Sequence, residues 1–91
     1  MAKIGLIGCG MWGRNLARNL AQLGVLVAVA DRNAKAADEF ASAFNVTAMA
    51  TDSLVEQKSI DGIVIATSAP SHDKLALAGL IAGKHLYIEK P

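Results

Sequence analysis

Gly8, Gly10 and Gly13 separate two stretches of chain with different periodicities, and this junction restricts the fold more than any other feature of the sequence. Residues 4–8 form a short apolar run stopped by glycine, as expected of a strand buried on both faces. Across residues 13–23, Leu16, Ala17, Leu20 and Leu23 recur at helical spacing. Arg14, Asn15, Arg18, Asn19 and Gln22 occupy the opposite side, and Gly24 supplies a stop. A strand passing into an amphipathic helix through so tight a turn opens a β-α-β unit.

The alternation continues along the chain. Residues 25–30 read as a second strand ending at Asp31. Asn33 can cap a helix that buries Ala36, Ala37, Phe40 and Phe44 and leaves Asp38 and Glu39 in water. Residues 46–50 make a weak third strand, and Asp52 or Ser53 opens a short helical turn through Leu54 and Val55. Residues 63–66 are the clearest buried strand. Pro70 and Ser71 start a last helix with Leu77, Leu80 and Ile81 on one side and Gly83 as its stop, and residues 85–89 form a fifth strand. Strands joined by helical crossovers lie parallel and cross right-handed, so the expected fold is α/β: a doubly wound Rossmann sheet of five strands in the order 3-2-1-4-5. A hydrophobic share of 53% with only 4% aromatic residues suits it, because such a core is built from Ala, Val, Leu and Ile.

At 91 residues the chain is a single domain, residues 1–91, without room for a substrate domain. Sheets of this kind usually carry a sixth strand. The domain is therefore expected to be incomplete, lacking that strand and a C-terminal domain, and to leave the edge of residues 85–89 open to self-association. The formal net charge is +1 and the basic residues are scattered, which gives no electrostatic footprint for nucleic acid or an anionic membrane. Arg14, Asp31 and later charges interrupt every run well short of the roughly 20 apolar residues of a membrane span. The lone cysteine, Cys9, cannot form an internal disulfide and points to a reducing, cytoplasmic setting. Leu6-Ile7-Gly8-Cys9 imitates a lipid-modified cysteine, but only about five residues separate it from Lys3, short of the apolar region of about 7 to 15 residues that export requires.

Chemistry concentrates where the strands end. In a G-x-G-x-x-G turn after a strand, Gly8 permits the bend, Gly10 lets a diphosphate approach the backbone, and Gly13 lets helix and strand pack closely. The diphosphate then meets unpaired N–H groups at the positive end of a helix. Asp31 lies 18 positions after Gly13, where it can accept from both hydroxyls of an adenosine ribose and repel a 2'-phosphate, favouring NAD over the alternative, NADP. Arg32 can pair with a 2'-phosphate, stack on adenine, or stay solvated. Trp12, beside Met11, either covers the cofactor or joins the core. Cys9 sits near a helix N-terminus that can lower a thiol pKa, although a small apolar filler is the stronger reading. Thr67, Ser68 and His72 follow strand four on the ligand side, where the hydroxyls can instead cap a helix. Glu89 closes strand five and Lys90 follows it, where Lys90 can polarise a substrate hydroxyl or hold the nicotinamide ribose.

Taken together, these residues resemble the N-terminal region of the Gfo/Idh/MocA oxidoreductases, named for glucose-fructose oxidoreductase and inositol dehydrogenase. The likeness covers the whole chain. It rests on Gly8 to Arg14, Val29-Ala30-Asp31-Arg32, Ile65-Ala66-Thr67 with His72, and above all Ala82-Gly83-Lys84-His85 leading to Glu89-Lys90-Pro91. The resemblance implies dehydrogenation of a hydroxyl on a sugar, inositol, sugar nucleotide or related compound. It makes Lys90 a catalytic group turned inward by a cis Pro91, and assigns Thr67, Ser68 and His72 to cofactor and active-site contacts. Ser68 and Ala69 depart from the family, which commonly has proline directly after Ala-Thr. The expected cofactor set is therefore Gly8, Gly10, Met11, Trp12, Gly13, Asp31, Arg32, Thr67, Ser68, His72, Glu89 and Lys90, with no metal. The expected partners are a nicotinamide dinucleotide and, in a longer protein only, a small polyol or sugar. A non-catalytic nucleotide-binding or regulatory module is the alternative, and a structural interaction domain using the open strand edge ranks third.

Overall fold

The computed structural model describes residues 2–66 and 83–88, with the side chains of Met11, Trp12 and Ile88 set aside. The helix expected from Pro70 and the segment from Glu89 to Pro91 lie outside the described residues. Within them the order is β1 (Ile4–Ile7), α1 (Met11–Gln22), β2 (Leu26–Ala30), α2 (Ala34–Phe44), β3 (Thr47–Ala48), α3 (Thr51–Glu56), β4 (Gly62–Ile65) and β5 (His85–Ile88). The strands form one parallel sheet in the order β3-β2-β1-β4-β5, as the sequence leads one to expect.

Because side chains alternate across a strand, the apolar runs supply both faces of the sheet. Leu6, Val29 and Val64 point to one side, where they meet Ala17 of α1 and Ala37 and Phe40 of α2. Ile7, Ala28, Ala30, Ile63 and Ile65 point to the other and are covered by Leu54 and Val55 of α3 together with Ile60. Lys84 joins β5 to this second layer. Its Nζ donates to the carbonyls of Gln57 and Ile60, at 2.7 Å each, just after α3 ends.

Several boundaries differ from expectation. The first helix begins at Met11 rather than Gly13, because the Arg14 N–H already closes a turn onto the Gly10 carbonyl at 2.9 Å. Leu23, expected on its buried side, is 70% exposed: the helix ends at Gln22, and the periodic pattern runs one residue beyond it. The weak third strand shrinks to Thr47 and Ala48, since the Val46 N–H is drawn back to the Ala41 carbonyl at the end of α2. Asn33 caps α2 as expected, its side chain accepting from the N–H groups of Lys35 and Ala36.

Gly13 lies inside α1 and is required there by packing, since a Cβ would come within 2.0 Å of the Gly8 carbonyl oxygen. That neighbour is backbone and cannot move aside without shifting β1 against α1. Gly13→Ala is therefore expected to lower unfolding stability by about 3 kcal/mol, the upper part of the usual range for overpacking. Denaturant titration checks this, and an unchanged midpoint would contradict the close approach.

Candidate functional site

The carboxyl ends of β1 and β2 meet at the glycine turn. Gly8 has φ 109, the left-handed region that favours glycine, and its N–H donates to the Ala30 carbonyl at 2.8 Å. The bend carries the chain across the end of β2 and into α1. Gly10 is the N-cap residue, extended at φ -94 and ψ -162, with no side-chain bond from the described residues closing the helix start and no acidic residue in the first turn. The N–H groups of the first turn thus have no acceptor within the helix, and nothing on the helix itself neutralises its positive end.

Gly10 contrasts with Gly13. Its conformation suits any residue, and a Cβ built on it meets nothing within 4 Å among the described residues. Neither strain nor packing calls for glycine there. Space for a ligand to approach the backbone does, and Gly10, exposed between buried Cys9 and the helix, fits a diphosphate in this respect.

Asp31 is half-buried directly after β2. One carboxylate oxygen accepts from the Cys9 N–H at 3.0 Å, and the other accepts from the Asn33 N–H at 2.9 Å. The acid that could read a ribose is thus already fixed against the turn that could hold the diphosphate. Each oxygen keeps a further lone pair for a hydroxyl donor. This contact was not anticipated from the sequence, although the Asp31-x-Asn33 spacing is a local signal for a carboxylate bonding a backbone two residues on. Arg32 is exposed and makes no hydrogen bond or ion pair among the described residues. It borders an open hollow of about 470 Å³ that Asp31 shares with Ala34, Asp38, Met49 and Thr51.

A second hollow of about 430 Å³ lies under Gly10 and is lined by Cys9, Arg14, Ala36, Glu39 and Phe40. The Arg14 guanidinium stands 5.0 Å from the centroid of the Phe40 ring, a cation–π contact that keeps this charge beside the turn. The sequence reading placed Arg14 only on a solvated face and Phe40 only in the core. A third hollow, bordered by Lys84 and Asp61, lies at the amino ends of β4 and β5, away from all of these groups.

The two readings of Cys9 separate. Its side chain is buried among the packed residues of the α1 and α2 face, and its thiol donates to the Ala30 carbonyl at 3.6 Å. Burial, and secondarily the negative charge of Asp31, push the thiol pKa up to about 12. That is opposite to the lowering a helix N-terminus could bring, and it makes Cys9 a filler. Of the other expected site residues, Gly8, Gly10, Gly13, Asp31 and Arg32 gather at this end of the sheet, and Met11 and Trp12 enter through the backbone of the first turn. Thr67, Ser68, His72, Glu89 and Lys90, with the Pro91 peptide bond, lie outside the described residues.

The GFO_IDH_MocA family model, described as "Oxidoreductase family, NAD-binding Rossmann fold", matches residues 2–91. Inositol 2-dehydrogenase of Acidothermus cellulolyticus is 35% identical over 98% of this chain and 28% of its own length. Among solved structures, UDP-N-acetylglucosamine 3-dehydrogenase of Acidithiobacillus ferrooxidans superposes with a TM-score of 0.90 at 34% identity, over 98% of this chain and 28% of that one. Myo-inositol dehydrogenase of Lactobacillus casei, solved with NAD(H) and myo-inositol, superposes with a TM-score of 0.90 at 28% identity, over 100% of this chain and 29% of that one. The chain thus spans less than a third of the length of these relatives.

The thiol shift has a pH consequence with a definite sign. The folded state holds the Cys9 proton above the ordinary value of 9.0, so the stability it contributes is complete below pH 9 and is lost as pH rises toward 12. The denaturant midpoint should fall across that window and fall less in Cys9→Ala. Iodoacetamide at pH 8 should label the unfolded chain quickly and the folded chain slowly; equal rates would contradict the burial.

Proposed function

The chain belongs to the GFO_IDH_MocA family of NAD-binding oxidoreductases, and from that premise we propose that residues 1–91 are the dinucleotide-binding domain of a dehydrogenase. The substrate class we assign is a hydroxyl on a sugar, inositol, sugar nucleotide or related compound. The observation that carries the binding site is the space over Gly10 beside the Asp31 carboxylate, left open by the described residues at a helix start that none of them caps with a side chain.

The division of labour follows from position. Gly8, Gly10, Met11, Trp12 and Gly13 present the turn and the first N–H groups of α1 to the diphosphate. Asp31 accepts from the adenosine ribose and disfavours a 2'-phosphate, making NAD the preferred dinucleotide, while Arg32 at the rim stacks on adenine. A dinucleotide held by these residues would supply hydride-accepting chemistry for the carbon that bears the substrate hydroxyl. Lys90 polarises that hydroxyl and takes part in moving its proton; Glu89, Thr67, Ser68 and His72 complete the contacts to cofactor and substrate. The selection of one polyol or sugar belongs to the additional length that the relatives have. The setting we assign is cytoplasmic, in keeping with the single buried thiol; among the described residues no helix is long and apolar enough to cross a membrane.

Calorimetric titration of the chain with NAD and with NADP tests this reading. NAD should bind more tightly, and Gly10→Ala should weaken it while leaving the melting temperature nearly unchanged, since the added methyl meets no atom of the described residues. Tighter binding of NADP would overturn the preference, and substrate-dependent NADH formation by this chain alone would overturn the placement of the remaining machinery.

A further inference from the structure

Reading a ribose would require of Asp31 only that it face the ligand. Its carboxylate instead holds two backbone donors with no ligand involved, the Cys9 N–H at 3.0 Å and the Asn33 N–H at 2.9 Å. Cys9 is the residue between Gly8 and Gly10, and glycines lose more conformational freedom on ordering than any other residue. A segment flanked in this way depends on its attachments. The turn has three to the end of β2: Gly8 N–H to the Ala30 carbonyl, the Cys9 thiol to the same carbonyl, and Cys9 N–H to Asp31. The first is a neutral backbone bond and the second is long and weak. Only the third involves a charged acceptor, the stronger kind.

We infer that Asp31 is a positioning residue for the diphosphate turn, so that one carboxylate both reads the ribose and holds the backbone that meets the phosphates. The inference rests on the reading of this turn as a diphosphate site. By engaging Cys9, Asp31 also takes that N–H away from a ligand and leaves the donors of Gly10, Met11, Trp12 and Gly13. Substitutions that remove the acid to admit a 2'-phosphate then loosen the turn as well, and dinucleotide preference cannot be exchanged at this position without loss of affinity for both forms.

Inorganic pyrophosphate separates the two roles, because it has no ribose. Removing a negative charge near an anion site should by itself tighten pyrophosphate binding, whereas loosening the turn should weaken it, so the sign decides. The experiment titrates pyrophosphate into the isotope-labelled chain and follows amide resonances and amide hydrogen exchange for wild type, Asp31→Ala and Asp31→Asn. In the wild type the resonances of Gly10 to Gly13 should move. Asp31→Ala should weaken binding about tenfold and accelerate exchange at Cys9 by a similar factor, as expected on losing one hydrogen bond to a charged group. The amides of Leu6, Val29 and Ile63 should keep their positions, showing that the sheet is intact. Asp31→Asn keeps the shape but has one acceptor oxygen for two donors; it should show the same sign at smaller size, and it decides the matter if the alanine variant is unfolded. Variant affinity equal to or above wild type would overturn the inference while the diphosphate site stands, whether or not Cys9 exchange changes. Absence of any wild-type response at Gly10 to Gly13 would overturn the diphosphate reading, and this inference with it.

Discussion

The approach of α1 to the Gly8 carbonyl at Gly13 is the constraint on which the rest of the site depends. With a Cβ at Gly13 only 2.0 Å from that oxygen, the helix could not start where it does. Because it does, the first turn of α1 stands over the carboxyl end of β1, the central strand, and its unpaired N–H groups face the same side as the end of β2. Gly10 then adds open space, and Asp31 a carboxylate fixed to the turn itself. The three glycines therefore do different things: Gly8 supplies a backbone angle, Gly13 a packing distance, and Gly10 room for something other than protein.

Electrostatics at this end of the sheet are arranged in layers. The helix N-terminus is positive and free of acidic residues in its first turn, and Arg14 is held nearby on the Phe40 ring. Asp31 supplies the opposing charge one strand away, with both oxygens already bonded to backbone N–H groups. A ligand that is anionic in one part and rich in hydroxyls in the next matches this sequence of charges. The same carboxylate helps keep the Cys9 thiol protonated, which leaves the only cysteine as packing material. At the far end of the sheet, Lys84 is spent on the carbonyls of Gln57 and Ile60, where it ties β5 to the α3 layer.

Most of this architecture was legible in the sequence, for reasons that are local. Apolar runs with alternating sides, separated by amphipathic segments and punctuated by Gly8, Gly24 and Asn33, specify a parallel sheet and its order with little ambiguity. What escaped depended on contacts between distant residues or on where periodicity stops. Leu23 continues the helical spacing but falls after the last turn, and Val46 is β-branched yet bonded to the helix before it. Gly13 fills the close-packing role expected of it, but the helix expected to open there already begins at Met11, two residues earlier. The Cys9 to Asp31 bond joins residues 22 positions apart and leaves no periodic trace. The Asp31-x-Asn33 spacing was the available hint that the carboxylate would also be engaged by backbone.

A crystal structure of the chain with NAD bound tests the central claim most directly. Diphosphate oxygens should lie about 3 Å from the N–H groups of Gly10 to Gly13, with the adenosine ribose hydroxyls on the Asp31 carboxylate. A diphosphate seated at the opposite end of the sheet beside Lys84, or a ribose out of reach of Asp31, would contradict it.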